Sequence, residues 1–101
     1  MIVGVVKGHV VSSAKVENLE GKKLLVVEIL SAIPGGFERT DQHMVCIDAV
    51  QAGEGALVVV VQGSSARIAP GMGDVPVDAL VVGIIDSVQA FGRESALEVV
   101  S

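Results

Sequence analysis

The sequence predicts an all-β domain, a small barrel or sandwich of five short strands, and three observations predict it. Turn formers recur at fairly even spacing between apolar segments. Half of the residues are hydrophobic, yet Trp and Tyr are absent and only Phe37 and Phe91 are aromatic, so the core must be valine and isoleucine, residues that suit a pleated surface. The third observation is Ala56-Leu57-Val58-Val59-Val60-Val61, an apolar run with no polar interruption. A half-buried strand would alternate, so this run reads as a strand covered on both faces.

The strands expected are 2–11, 23–30, 43–48, 56–62 and 80–88, and five strands fit a small closed barrel. Between them lie Glu20-Gly21-Lys22 for a hairpin, Pro34-Gly35-Gly36 opening a loop, Gly53-Glu54-Gly55 before the apolar strand and Pro70-Gly71-Met72-Gly73-Asp74 after it. A short helix is expected only over 64–69. No linker or composition shift divides the chain, so 1–101 is one domain. The tail 89–101 receives no structural assignment.

A double cover over the valine run is hard to arrange within 101 residues. Leaving about four such side chains exposed would forgo roughly 1.5 to 3 kcal/mol each, which rivals the about 5 to 15 kcal/mol stabilising a whole domain. The second cover is therefore expected from another subunit, with Val58, Val59, Val60 and Val61 as the candidate interface.

Composition bounds the function. A net charge of −5, from seven Lys and Arg against twelve Asp and Glu, opposes diffuse attraction to nucleic acid or anionic lipid. Mean hydropathy is high at +0.66, but the apolar runs fall far short of the ~20 residues that span a bilayer. The start of the chain lacks a basic region and a small-residue cleavage site, so a cytoplasmic chain with protein partners is expected. The single cysteine, Cys46, sits in Met44-Val45-Cys46-Ile47 as a buried small hydrophobe.

Searches for catalytic and cofactor motifs fail. Gly53-Glu54-Gly55 lacks the third glycine and the following helix of a dinucleotide site, and Gly21-Lys22-Lys23 lacks the earlier glycine and the Ser or Thr of a phosphate loop. Gly63-Ser64-Ser65-Ala66 lacks the flanking glycines of a nucleophile elbow. His43 and Cys46, three residues apart on a strand, point to opposite faces and form no metal site. His9 reads as a rim or interface residue, and Asp48, Asp78 and Asp86 as turn-capping residues. No catalytic residue, cofactor or metal is assigned. Within a mobile, solvent-exposed loop at 32–42, Phe37, Glu38 and Arg39 are the candidate partner contact; the other reading is a hairpin connection with one partly tucked aromatic.

Several segments together carry a resemblance. Gly4-Val5-Val6, Gly8-His9-Val10-Val11-Ser12-Ser13, Leu19-Glu20-Gly21-Lys22-Lys23-Leu24-Leu25-Val26-Val27, Ile47-Asp48-Ala49-Val50, Ala52-Gly53-Glu54-Gly55, Val59-Val60-Val61-Gln62-Gly63-Ser64-Ser65-Ala66-Arg67 and Val77-Asp78-Ala79-Leu80-Val81-Val82-Gly83-Ile84-Ile85-Asp86 stand in order with compatible spacing. This pattern resembles the EutN/CcmL family of vertex proteins of bacterial microcompartment shells. The resemblance implies a five-stranded OB-like β-barrel with a short helix, assembling as a cyclic homopentamer that caps the corners of a polyhedral shell and docks against hexameric shell proteins. Pentagonal units supply the curvature that flat hexagonal tiling lacks, so the implied role is geometric and non-enzymatic. In such a ring Gly63, Ser64, Ser65 and Arg67 are candidates for the central opening; the other reading of Ser64 and Ser65 is a helix cap. The family often has glycine where this chain has Gln51, which implies a less tight turn there or another backbone conformation. The alternative function, an OB-fold module binding nucleic acid or a small ligand, would need cationic grooves and stacking aromatics that this composition lacks.

Overall fold

Alternation decides which face each strand buries. On β1 (Ile2–Val10) Gly4 and Val6 are buried while Val3 and Val5 stay half-buried outside. β2 (Leu24–Ile33) buries Leu25 and Val27 between half-buried Leu24 and Val26. β4 (Leu57–Gln62) buries Val58 and Val60 against the core and leaves Val59 and Val61 half-exposed. β3 (Gly36–Asp48) adds Cys46 and β5 (Ala79–Ile84) adds Ala79 and Val81, so that the interior is one cluster of mainly β-branched residues. These details come from a computed structural model, which describes residues 1–11, 23–63, 79–90, 93–95 and 99–100.

The five strands close into a ring. β1 pairs antiparallel with β2 and β4, β2 with β3, and β4 with β5, while β3 and β5 run parallel at Ile47↔Leu80 and Asp48↔Val81. Closure gives each of the five main strands a neighbour on both sides, so none stands as a whole edge strand. Two short strands, β6 (Val88–Ala90) and β7 (Arg93–Ser95), pair with each other apart from this sheet. A last one, β8 (Val99–Val100), lies parallel beside Phe37 and Glu38 of β3. The tail left unassigned from sequence thus returns to the sheet.

The all-β, five-stranded expectation holds, with corrections at the element ends. β1 ends at Val10, and β5 stops at Ile84 rather than at residue 88. The largest correction concerns 32–42, expected as a mobile exposed loop. Pro34 and Gly35 instead make a two-residue turn between paired Ile33 and Gly36. Proline presets the first turn position, and Gly35 takes φ +97°, the left-handed value the second requires. With the reversal so short, β2 and β3 extend to meet it. Phe37 then falls on a strand and is 3% exposed, packed with Leu30 and Leu57. It is a core residue of this chain, which corrects its candidacy as a partner anchor; Glu38 and Arg39 remain exposed.

The valine strand is corrected in half. Val58 and Val60 are completely enclosed by the chain's own core, so another subunit is not what covers them. Val59 and Val61 alone keep an outward face. The expected hairpin at 20–22, helix at 64–69 and turn at 70–74 lie outside the described residues.

Candidate functional site

One charged side chain in the middle of β2 organises the outer surface of the ring. Glu28 interrupts the run Leu24-Leu25-Val26-Val27-Glu28-Ile29-Leu30, and its side chain has no solvent exposure. A buried carboxylate is costly unless fully paired. Arg39 Nε donates to both oxygens, at 3.0 and 3.1 Å, and the Asp41 amide donates to Oε2 at 3.1 Å. Lys7 Nζ stands 4.0 Å and His43 Nε2 3.9 Å from Oε1. Among the described residues no buried side-chain nitrogen or oxygen lacks a partner.

The backbone brings these groups together through a bulge. Between the pairs Glu28↔His43 and Leu30↔Arg39 the register shifts, so that Thr40, Asp41 and Gln42 stand opposite Ile29 alone. Asp41 takes φ +58°, a left-handed conformation that Asp and Asn tolerate better than most residues. That conformation aims its amide at Glu28. Thr40 Oγ1 donates to the Ile29 carbonyl at 2.6 Å and accepts the Gln42 amide at 3.2 Å. A second register shift, at Lys7 between Val6 and Gly8, carries the lysine toward the same carboxylate.

The hydrogen bond from Arg39 holds the Glu28 carboxyl below its ordinary range; it outweighs the burial that would raise it, and the Asp41 amide assists. Glu28 in turn raises the Arg39 guanidinium. A carboxylate kept ionised in this way is no general acid near neutral pH. Oxygens of Glu28 and Asp41 and a nitrogen of His43 lie within 4.8 Å of one another, the one such trio among the described residues. A divalent cation there would compete with the Arg39 guanidinium for Glu28 and face the Lys7 ammonium as well. The cluster is chemically suited to fastening β1, β2 and β3, because its ion pairs and hydrogen bonds to Glu28 come from all three strands.

Among the described residues, the candidates from sequence are not gathered into one site. Gly63 follows β4 with φ +64° and is exposed, whereas Ser64, Ser65 and Arg67 lie outside the described residues. Val59 and Val61 face outward on β4, Glu38 is exposed on β3, and Arg39 serves Glu28. His43 is exposed and Cys46 buried, on opposite faces as the strand period required. Asp48 Oδ1 accepts the Val50 amide at 3.0 Å, the turn-capping contact expected of it. Gln51 adopts φ +62°, the conformation a glycine would take, in place of a wider turn. Glu28 was missed, although a lone glutamate inside an apolar strand was a visible signal.

A closed ring of five strands, with a valine core, a polar cluster spent on its own bulge and valines turned outward, defines a small β-module built for packing against other surfaces. The family described as "Ethanolamine utilisation protein EutN/carboxysome" matches residues 1–86, and the chain belongs to this EutN/CcmL family. It is 46% identical over 91 residues to the bacterial microcompartment shell vertex protein GrpN of Rhodospirillum rubrum, covering 88% of this chain and 97% of that one. Its fold is similar to the solved CcmL of Gloeobacter violaceus, with TM-score 0.86, 37% identity and coverage of 93% and 94% of the two chains. The solved GrpN, described as a pentameric microcompartment shell protein, superimposes with TM-score 0.75 at 43% identity, over 89% of this chain and 99% of that one.

Proposed function

We propose that this chain is a structural shell protein that forms a homopentamer and caps the vertices of a polyhedral bacterial microcompartment. The observation that carries this reading is the near end-to-end match to a shell vertex protein whose solved form is pentameric. The mechanism is geometric. Five copies joined head to tail close a ring, and a five-sided unit set among hexagonal tiles turns a flat layer into a closed shell. The half-exposed valines of β4 supply apolar surface for such contacts, and hexameric shell proteins are the partners at the ring's outer edge. Gly63, with Ser64, Ser65 and Arg67 after it, is proposed to border the central opening. No cofactor or catalytic step is needed for this role.

Light scattering with refractive-index detection tests the reading, because a chain without Trp or Tyr barely absorbs at 280 nm. A mass near five times the 10.3 kDa chain is expected. A monomer at micromolar concentration would return the OB-type binding module to first place.

A further inference from the structure

The outer surface of the ring exposes two apolar patches, and they lie on different halves of it. The first spans β1, β2 and β3: Gly8 stands opposite Val26, Val26 opposite Val45, and Val10 opposite Leu24. Val45 is 52% and Val10 36% exposed, and Leu24 and Val26 are half-buried. Gly8, without a side chain, leaves Val26 and Val45 open on that flank. The second patch spans β1, β4 and β5, where Val3 stands opposite Val59 and Val59 opposite Gly83, with Val61 further along β4 and Val82 37% exposed in the β5 bulge. On β1 the two are separated by Lys7, and beside it by the charged cluster of Glu28, Arg39, Asp41 and His43. Within either patch, the described outward positions just named carry no charged side chain.

Scattered exposed hydrophobics need no explanation, but contiguous ones mark contacts. A two-fold dimer needs one self-complementary patch, whereas a head-to-tail ring needs two unlike patches on each copy, one to give and one to receive. Resting on the homopentamer reading above, we infer that the Val45 patch of one copy packs against the Val59 patch of the next. The partner of each patch is thus a second copy of this chain. The charged cluster lies in the band between the patches, and the patch positions named above place no charged side chain inside the contact.

Complementation tests this pairing in the full chain. Val45→Lys spoils the first patch and Val59→Lys the second, and each variant alone is expected to fall from a pentamer to a monomer with an unchanged β spectrum by circular dichroism. A mixture retains one intact junction, between the second patch of V45K and the first patch of V59K. It is therefore expected to give dimers and no ring. A pentamer from either variant alone, or a mixture that stays monomeric, overturns the pairing while leaving the homopentamer standing. A monomeric unmodified protein overturns both, and its mass tells the two failures apart. Should a variant lose its β spectrum, Val26→Lys and Val61→Lys replace V45K and V59K in the same design.

Discussion

Glu28 stabilises this protein only while it is ionised. Its carboxyl is held below the ordinary value of 4.5 by the Arg39 hydrogen bond, so as pH falls the unfolded chain takes up the proton first. The contribution is complete above about 4.5 and is lost as pH drops through the lower folded value. Thermal melts of the protein and of Glu28→Gln should thus differ most near neutrality and converge under acid; a gap that stays constant with pH would refute the role. Gly4 is a second decisive residue. A Cβ there would overlap Val27 Cγ1 and lie 2.8 Å from the Glu28 carbonyl oxygen, a backbone atom that cannot swing away. Gly4→Ala is expected to cost about 1 to 3 kcal/mol, read as a lower urea midpoint by circular dichroism. Neither effect was readable from residue type alone, since both depend on the strand lying alongside.

At the scale of elements, the β2–β3 pair carries the most information. Its tight turn was written plainly in Pro34-Gly35, but whether those two residues open a loop or close a hairpin depends on the segment after them, and Glu38 to Gln42 look like loop residues because all five are polar. They sit in a strand because the bulge at Thr40 to Gln42 gives the Asp41 amide to Glu28 and the Gln42 amide to Thr40 Oγ1, while the Thr40 hydroxyl donates to the Ile29 carbonyl. Thr40→Val removes the bond to the Ile29 carbonyl and should lower stability by about 1 kcal/mol, measured by denaturant unfolding. Gln51 offers the opposite sign. Its left-handed backbone at φ +62° costs about 1 to 2 kcal/mol against glycine, partly offset by the freedom that glycine adds to the unfolded chain. Gln51→Gly should therefore raise the melting temperature slightly, a gain of up to about 1 kcal/mol.

Over the whole molecule, on the pairing proposed above, stability and assembly draw on different valines, because adjacent ones on β4 face opposite ways. Val60→Ala opens the interior and should cost roughly 2 kcal/mol of folding stability, whereas Val59→Ala should leave folding nearly intact and weaken the ring. Scattering across a dilution series checks the second, and denaturant unfolding the first. If association is coupled to folding, the melting temperature of the unmodified protein should rise with concentration. A concentration-independent melt would indicate that the ring contributes nothing to stability.

The sequence by itself determined the all-β class, the number of main strands, the family and the expectation of a partner surface. These stem from local properties, since β-branched runs, turn residues and motif order are written along one chain. Only the tertiary structure decided which valines of β4 face inward, that Phe37 belongs to the core, and that Glu28 gathers Lys7, Arg39, Asp41 and His43. The physical reason is register. A strand's faces are set by the strands beside it, and shifts at Lys7 and at Thr40 to Gln42 change which residues meet.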